Sequence, residues 1–479
     1  MPAQTKNFAE ICAMQDYIGF RRALLAGETT CARAVETFLE RIAQTERFNI
    51  FIETYADEAR SRAAEIDAHV RNGAVGKAAG MVVSIKDVIS YADHALTAGS
   101  KILRGFKTVL TATALERLIN EGAIVIGRTN CDEFAMGSSN EHSCYGPCLN
   151  PLDPERTPGG SSGGSAASIA AGLCHVAVGS DTGGSVRQPA SFCNAVGIKP
   201  TYGRVSRWGL VAYASSFDQI SPITSSVRDA ALALEIMSGH DPKDNTSALR
   251  PWGGPPLPER YRIGVIRQTL ETPGLHPDVK AGVEKKMAAL AAAGHTVEYV
   301  EFPLLDYLVP TYYILTTAEA SSNLSRYDGV RYGYRSPNAK TLEEVYTLSR
   351  TEGFGAEVKR RILLGTFVLS AGYYDAYYQK AQKVRGILRD YTRGLFQNFD
   401  VLLSPTTPSG AFKIGEKTDD PIAMYLSDIY TVHANLVGMP AISVPCGFDS
   451  SGLPFGLHLL APEFAENRLF DLGQTAVEI

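Results

Sequence analysis

Two clusters of glycine and serine stand out as the part of the sequence that could do chemistry. The first, TPGGSSGGSAAS, spans residues 157–168, and the second, VGSDTGGSVRQPA, spans residues 178–190. Such clusters occur in flexible linkers, in loops that cradle phosphate groups and in turns that expose a nucleophilic serine. A serine hydroxyl attacks a carbonyl carbon only when a neighbouring group takes its proton. The clusters therefore raise the question of which residue could be that base.

The linker and phosphate-loop interpretations fit the flanking residues poorly. GGSSGGSAASIAAG leads directly into a helical pattern, whereas a flexible linker has no regular pattern beside it. A P-loop requires Lys and then Ser or Thr after its last glycine, but Gly164 is followed by Ser165 and Ala166, and neither cluster contains GxGxxG. Nucleotide binding stays open as the rival from a different functional class, and ATP binding by the isolated chain would favour it.

A nucleophile elbow is the third interpretation. The GxSxG pattern occurs twice in overlapping register, centred on Ser161 and Ser162, but such matches are common in a glycine-rich run. An α/β-hydrolase also needs an acidic residue and then a histidine downstream. The downstream histidines lie in no distinctive motif: His240, His276, His295, His433 and His458.

Lys86 is the candidate base upstream of both clusters. It ends the segment GMVVSIK, in which the two-residue period of a strand places Val82, Ser84 and Lys86 on one face and Asp87 on the other. The end of a buried strand, without a carboxylate partner, favours a lowered lysine pKa. The alternative is a lysine that simply reaches solvent past the strand end.

The elements that must position these residues alternate between strand and helix patterns. The strand patterns are GMVVSIKDVI, AIVIGRT, HVAVGSD, YRIGVI, HTVEYVEF, FDVLLSP and AISVPCGF. The helix patterns cover most of the first 45 residues, TATALERLIN, GGSAASIAAG, VRDAALALEIMSG, PDVKAGVEKKMAALAAAG and much of residues 305–395. This alternation predicts an α/β fold with a largely parallel or mixed sheet. RPWGGPPLPER, residues 250–260, is expected to be a loop inside one large domain, because the same rhythm resumes after it.

Composition and charge argue against several functional classes. The chain has 479 residues, of which 45% are hydrophobic and 20% charged, and this is typical of a globular protein. The formal net charge is −5 and no run of Lys and Arg stands out, so no nucleic-acid-binding surface is visible. There is no apolar run of about 18 residues, and MPAQTKNFAE lacks the features of a secretory signal. We therefore expect a cytoplasmic protein without a membrane segment.

The cysteines predict free thiols rather than a metal site. Only Cys144 and Cys148 are close neighbours, and a zinc site would need a second ligand pair. We therefore expect no metal, and reduced thiols in a reducing cytoplasm. The cysteines are Cys12, Cys31, Cys131, Cys144, Cys148, Cys174, Cys193 and Cys446.

Together with GIKPTYGRVSRWGLVAYASSFDQISP, which begins at Gly197, the two clusters resemble the amidase signature family. The spacing of Lys86, Ser161 and Ser185 agrees with that family, and the resemblance covers nearly the whole chain. It implies the amidase signature fold, an α/β fold whose central mixed β-sheet is flanked by helices on both faces. It also implies a single domain over residues 1–479, with a motif core at about 80–230 and a helical substrate-pocket region at about 305–395.

The resemblance implies a base other than histidine. Ser185 would be the nucleophile, Ser161 would relay its proton and Lys86 would be the base. A serine hydroxyl suits the relay because it both donates and accepts hydrogen bonds. A neutral lysine at this position requires a pKa well below its usual value of about 10.4.

The same resemblance implies how the reaction intermediate is held. The backbone N–H groups of Thr182, Gly183, Gly184 and Ser185 would converge on the oxyanion, and the glycines would let that backbone approach the substrate. Ser161 would follow a cis peptide bond.

Further segments, among them DEFAMGSSNEHSCYGPCLNP and NLVGMPAISVPCG, resemble one branch of the family. These are the glutamine-hydrolysing A subunits of tRNA-dependent amidotransferases acting on glutamyl-tRNA(Gln) or aspartyl-tRNA(Asn). The branch implies that Arg361 faces the α-carboxylate of glutamine, that Asp428 lies near the α-ammonium and that Tyr312 lies beside them.

The branch also implies partners. The chain would form a heterotrimer with B and C subunits, to which it supplies ammonia, and the tRNA would bind mainly through a partner. ATP and Mg²⁺ would bind in the partner, and this chain would need no cofactor. The alternative is a standalone amidase that acts on another small amide.

Overall fold

A mixed β-sheet of eleven strands runs through the part of the chain that the structure describes. The computed structural model describes residues 16–73, 75–418 and 420–479. In chain order the strands are β1 (Phe51–Thr54), β2 (Val82–Lys86), β3 (Ile124–Thr129), β4 (Val176–Asp181), β5 (Val196–Lys199), β6 (Gln219–Thr224), β7 (Arg262–Ile266), β8 (Thr296–Val300), β9 (Val401–Pro405), β10 (Ala441–Phe448) and β11 (Pro454–Leu460).

The strand order across the sheet is β1-β3-β2-β4-β6-β5-β10-β11-β9-β7-β8. Strand β2 pairs in parallel with both β3 and β4, and β7 pairs in parallel with both β8 and β9. The remaining pairs are antiparallel. The sheet is therefore mixed, as the alternation of elements in the sequence predicts.

Helices cover this sheet. They are α1 (Tyr17–Leu25), α2 (Cys31–Gln44), α3 (Ala56–Arg71), α4 (Thr113–Asn120), α5 (Gly163–Ala170), α6 (Arg187–Phe192), α7 (Val227–Met237), α8 (Arg267–Glu271), α9 (Pro277–Ala292), α10 (Leu308–Asn323), α11 (Leu342–Gly353), α12 (Ala356–Val368), α13 (Lys380–Leu395), α14 (Pro421–Leu426), α15 (Val432–Val437) and α16 (Glu466–Glu478). Short 3₁₀ helices lie at Glu46–Phe48, Lys101–Leu103, Glu133–Ala135, Leu305–Tyr307 and Leu324–Arg326, and a π-helical turn, Tyr374–Gln379, precedes α13.

The centre of the sheet is covered on both faces. Every residue of β2, β3 and β4 is buried. Because successive side chains of a strand point to opposite faces, full burial means that neither face of these strands meets solvent. This confirms the prediction of a mixed sheet flanked by helices on both faces.

The unit that leads into β3 shows how local sequence sets the elements. The apolar side of α4 packs inward through Leu115 and Leu118, and the helix ends just before Gly122. That glycine has a φ of 98°, which residues with a side chain rarely adopt, and a Cβ there would lie 2.9 Å from Ala79 Cα. The chain therefore reverses at Gly122 and enters β3, as the sequence predicts.

The strands and helices that the sequence indicates are present with boundaries shifted by a few residues, while β1, β5, β6 and β11 were not predicted. Residues 250–260 contain no helix or strand, as expected of a loop. The predicted N-terminal helical region is seen as α1 and α2. Its first fifteen residues, including Cys12, lie outside the described residues. The assignment of one domain over residues 1–479 stays a prediction.

Two further observations concern the described residues alone. No helix among them is both long and apolar enough to cross a membrane. The seven cysteines among them all carry free thiols.

Candidate active site

Lys86 lies at the buried end of β2, facing the first glycine–serine cluster. Its Nζ donates to Ser161 Oγ at 2.7 Å, to Ser162 Oγ at 3.0 Å and to Ser180 Oγ at 3.0 Å. The lysine is fully buried, so it does not reach solvent past the strand end. Asp87 points away and pairs with Arg128 at 2.7 Å, as the strand period predicts.

Burial lowers the pKa of Lys86 to about 8, because the ammonium form loses its hydration. The buried carboxylates Asp132, Asp181 and Asp218 act in the opposite direction, but at longer range. Hydroxyl groups surround Nζ at hydrogen-bond distance, and a neutral amine can either donate to them or accept from them. Lys86 can therefore exchange a proton with Ser161 near neutral pH.

Ser161 follows a cis peptide bond from Gly160, as the resemblance implies. Only glycine fits at position 160, since a Cβ there would lie 2.2 Å from Asp132 Oδ2 and 2.6 Å from Ser139 N. The Gly160 N–H donates to Gln188 Oε1 at 3.0 Å, and the Ser161 carbonyl accepts from the Asp132 N–H at 3.2 Å. These contacts hold Ser161 Oγ against the lysine.

The same contacts leave the first cluster unsuited to phosphate. The N–H groups of Gly159, Gly160, Ser162 and Gly164 all donate to oxygen acceptors of the protein itself. A phosphate cradle needs free N–H groups that point at the ligand. The cluster is built as a rigid turn around Lys86 rather than as a nucleotide-binding loop.

Ser185 lies on the second cluster, between β4 and α6. Its carbonyl accepts from the Ser162 N–H at 3.1 Å, which joins the two clusters directly. Its side chain is accessible to a small degree, with 8% of the residue exposed, whereas Lys86 and Ser161 show none. Among these three residues Ser185 is thus the one that a substrate can meet.

The loop that carries Ser185 is anchored by a buried ion pair. Asp181 accepts from the N–H groups of Gly184 at 2.9 Å and Val186 at 3.2 Å, and from Arg187 at 3.0 and 3.1 Å. Asn435 also donates to Asp181, at 2.9 Å. Burial opposes ionisation of Asp181, but the Arg187 guanidinium, the Asn435 hydrogen bond and the Lys199 charge together lower the pKa of the carboxyl. The pair fixes the backbone on both sides of Ser185.

The backbone donors before Ser185 differ in their availability. The Gly184 N–H is already bonded to Asp181. Within the described part of the chain, the N–H groups of Gly183 and Ser185 have no acceptor. Thr182 is held by its side chain, which donates to Asp218 Oδ1 at 2.7 Å. Gly183 and Ser185 therefore offer the N–H groups that are free to meet an oxyanion.

Arg361 is a buried residue of α12, and its charge is held in a fixed orientation. Its Nε donates to Glu357 Oε1 at 2.8 Å, and one terminal nitrogen donates to the hydroxyl of Tyr213 at 2.8 Å. The guanidinium also lies over the rings of Tyr213, Tyr313 and Tyr425, at 5.4 to 5.6 Å from their centroids. The other terminal nitrogen has no partner among the described residues and can meet a ligand.

Asp428 is a buried carboxyl with one free oxygen. Its Oδ2 accepts from the Ser138 hydroxyl, and its Oδ1 has no hydrogen-bond partner among the described residues. Burial raises the pKa of Asp428 to about 7, against the Ser138 hydrogen bond and the nearby Arg361 charge. An unpartnered buried acceptor is costly, and a cationic ligand would satisfy it.

Tyr312 closes the space between these charges and the Ser185 loop. A Cβ added at Gly183 would lie 2.5 Å from the Tyr312 hydroxyl, so the ring packs directly against that backbone. Both charges act on the Tyr312 hydroxyl, because Arg361 lowers the pKa of Tyr312 and Asp428 raises it. Thr431 completes the link, since its hydroxyl donates to the Gly183 carbonyl at 2.7 Å and to the Asp428 carbonyl at 3.1 Å.

The structure thus gathers the predicted residues around residues 182–185, although among the described residues no hydrogen bond joins the hydroxyls of Ser161 and Ser185. Sequence reasoning missed several residues that hold them in place. Ser162 adjoins Ser161 in the motif and could have been noticed, whereas Ser180 faces Lys86 only because β2 and β4 are neighbours. Nothing in the local sequence marks Ser138 or Glu357 as contacts of Asp428 and Arg361.

The arrangement offers Ser185 as a nucleophile for amide hydrolysis, and comparisons with known proteins show the family of the chain. The family model described as Amidase matches residues 33–470 of this chain. Curated relatives share about half of their residues with this chain over nearly their full length. The A subunit of glutamyl-tRNA(Gln) amidotransferase from Chlorobium phaeobacteroides (strain DSM 266) is 52% identical over 464 residues, covering 95% of this chain and 97% of that protein. The protein of the same name from Koribacter versatilis (strain Ellin345) is 53% identical over 466 residues, covering 96% of each chain.

A solved structure is similar over most of its length. The crystal structure of the A subunit of glutamyl-tRNA(Gln) amidotransferase from Thermotoga maritima superposes with a TM-score of 0.76 at 41% sequence identity. The match covers 93% of this chain and 90% of that one.

Proposed function

Because this chain belongs to the amidase family, we propose that it hydrolyses the side-chain amide of glutamine and supplies the ammonia to a tRNA-dependent amidotransferase. The observation that carries the proposal is a buried lysine with a lowered pKa, 2.7 Å from a serine hydroxyl, beside a more accessible serine. The names of the similar proteins support the choice of glutamine and tRNA.

In the proposed mechanism Lys86 starts as the neutral amine. It takes the proton of Ser161 Oγ while Ser161 takes the proton of Ser185 Oγ, and the Ser185 oxygen attacks the amide carbon of glutamine. The tetrahedral intermediate collapses when the proton returns through Ser161 to the leaving nitrogen, which departs as ammonia. Water then attacks the acyl-enzyme, assisted by the same relay, and releases glutamate with Ser185 restored.

The developing oxyanion would be stabilised by the backbone before Ser185. We assign Gly183 and Ser185 as donors because their N–H groups are free, with Thr182 beside them. Gly184 fits this role less well than its sequence position implies, because its N–H would first have to leave Asp181. Removal of one such donor in other enzymes costs about 2.7–4 kcal/mol of barrier.

Recognition of free glutamine would use the two charges beside Tyr312. The free terminal nitrogen of Arg361 would bind the α-carboxylate, and the unpartnered oxygen of Asp428 would bind the α-ammonium. Each charge is held by its own partners, so little side-chain freedom is lost when glutamine binds. A simple amide without an α-carboxylate and an α-ammonium would gain no binding energy from Arg361 and Asp428.

The partners follow from the same proposal. The chain would act in a heterotrimer with B and C subunits in the cytoplasm, with glutamyl-tRNA(Gln), aspartyl-tRNA(Asn) or both as acceptors. The tRNA would bind mainly through a partner, which would bind ATP and Mg²⁺, while this chain would use no cofactor of its own. Copurification of two such subunits with a tagged copy of this chain would support the assembly.

The test of the proposal is glutamine turnover with hydroxylamine as a competing nucleophile, in the presence of copurified partners. An acyl-enzyme predicts formation of the γ-hydroxamate of glutamate. Ser185→Ala should abolish it. Ser191→Ala, which alters a buried serine of α6 that makes no side-chain hydrogen bond among the described residues, should not. Turnover of butyramide as fast as glutamine would favour the standalone amidase instead.

A further inference from the structure

A basic cleft of about 700 Å³ lies along α13, and none of the residues proposed for hydrolysis line it. Four arginines, Arg250, Arg385, Arg389 and Arg393, line the cleft, and Glu463 is the acidic residue among its lining residues. The arginines come from two segments far apart in sequence, so no basic run marks the cleft in the sequence. Its size lies in the range of ligand sites.

Two of the four arginines, Arg250 and Arg385, have no carboxylate within ion-pair distance among the described residues. Arg385 donates only to neutral oxygens, namely the Leu436 carbonyl at 2.9 Å and the hydroxyl and carbonyl of Ser216 at 3.0 and 2.9 Å. Arg250 lies over a phenylalanine ring and has no carboxylate partner among the described residues. Arg393 pairs with Glu463 of the cleft at 2.6 Å, and Arg389 lies 3.9 Å from the exposed Asp390, which does not line the cleft.

The spacing of the arginines on α13 indicates what could bind there. Arg385, Arg389 and Arg393 are four residues apart, so successive positions are separated by about 6 Å along the helix. Like charges at this spacing weaken an isolated helix, so helix stability does not account for them. An extended peptide places alternate side chains on one side about 6.6–6.8 Å apart, which is a close match.

The aromatic residues of the cleft argue against nucleic acid. Sites for single-stranded nucleic acid combine basic grooves with aromatic rings on which bases stack. Here Arg207 lies over the Tyr202 ring at 5.4 Å, and Arg204 and Arg250 lie over the Phe464 ring at 4.7 and 5.0 Å. The rings are already engaged by guanidinium groups.

Gly386 leaves room for a ligand at the helix surface. A Cβ built at this residue meets no atom within 4 Å, and the residue lines the cleft. Glycine is a poor residue for a helix interior, so the position is not explained by helix propensity. It lets a peptide backbone lie close to α13 between the flanking arginines.

We propose that this cleft binds an extended segment of a partner protein with acidic side chains at alternate positions. Those side chains would pair with Arg385, Arg389 and Arg250, and guanidinium groups suit carboxylates because both are planar and can pair through two hydrogen bonds. The proposal concerns a surface outside the hydrolytic site, so it does not depend on the proposed function.

The test is fluorescence anisotropy with a labelled ten-residue peptide, (Glu-Ser)₅, on the full chain. A block peptide of the same composition, Glu₅Ser₅, and a ten-nucleotide oligo-dT serve as comparison probes. Gly386→Leu should fill the cleft without changing its charge and weaken binding of the alternating peptide by about tenfold or more. Arg389→Gln should weaken it by about threefold, as expected for an exposed ion pair.

Arg33→Gln is the matched control, because it removes the same charge from an exposed position on a different helix, α2. It should leave binding unchanged. The proposal is overturned if the block peptide binds as well as the alternating one, or if oligo-dT binds more tightly than either. It is also overturned if Gly386→Leu binds normally while circular dichroism shows a folded protein.

Discussion

The pH dependence of turnover tests whether Lys86 is the base. Burial lowers the pKa of Lys86 to about 8, so about one molecule in eleven carries the neutral amine at pH 7. At an unperturbed pKa of about 10.4, only about one molecule in 2,500 would be neutral. The burial seen in the structure therefore raises the reactive fraction about 200-fold at neutral pH.

The assay is release of glutamate at saturating glutamine between pH 6 and pH 9.5. Only the deprotonated lysine can take a proton, so kcat should rise about tenfold per pH unit below pH 8 and level off above it. We use kcat rather than kcat/KM because kcat reports on the enzyme with glutamine bound. In that complex Asp428 is paired with the substrate, so its titration does not contribute to the profile. Lys86→Met should lose turnover across the whole range.

Lys199 provides a matched control, since burial lowers its pKa to about 7 while its Nζ donates only to the Pro200 carbonyl among the described residues. Lys199→Met should retain turnover and the same midpoint near pH 8. A profile that is flat from pH 6 to 9, or a midpoint near 10.4, would refute the reasoning about Lys86. If the midpoint moves in Lys199→Met, the titrating group is Lys199, and Lys86 is not the base.

Four further predictions follow from the same contacts. Arg361→Gln should raise KM for glutamine by about 10- to 150-fold, as hydrogen bonds to charged groups contribute about 1.5–3 kcal/mol, with kcat changed little in steady-state assays. The kcat/KM for glutamine should also rise as Asp428 ionises above its pKa of about 7, and Asp428→Asn should remove that part of the pH profile. Gly184→Ala should cut kcat about 100-fold in a folded protein, because φ is 131° and the new Cβ would lie 2.1 Å from Thr431 Oγ1. Lys86→Met should raise the free energy of unfolding in urea at pH 7 by up to about 3 kcal/mol. That gain should shrink between pH 8 and pH 10.5, where the unfolded wild-type lysine holds its proton and the folded one does not.

The sequence was enough to predict the alternation of elements and the orientation of Lys86. Both features could be predicted because they depend only on neighbouring residues. The apolar segment of β3 indicates a buried strand, and the two-residue period around Lys86 indicates the face on which it lies. Strands β6 and β11 were missed because QISPIT and PFGLHLL contain residues that disfavour strands. Pro222 nevertheless lies inside the sheet, opposite Val178 of β4.

The contacts of the site could not be predicted because they depend on strand order and on chain reversals. Ser180 reaches Lys86 because β4 adjoins β2, and Ser138 reaches Asp428 across 290 residues of chain. Local sequence also gave no reason to expect that Asp181 would occupy the Gly184 N–H. The roles of Arg361 and Asp428 came from family resemblance, and their separate burial and partners could only be seen in three dimensions.

The most direct test of the central claim is to find which residue becomes acylated. A diazoketone analogue of glutamine should react with the nucleophile, and peptide mass spectrometry then locates the adduct. We expect a label on Ser185 that excess glutamine prevents and that is absent from Lys86→Met. A label on Cys193 or another cysteine, or undiminished labelling of Ser185 in Lys86→Met, would contradict this expectation.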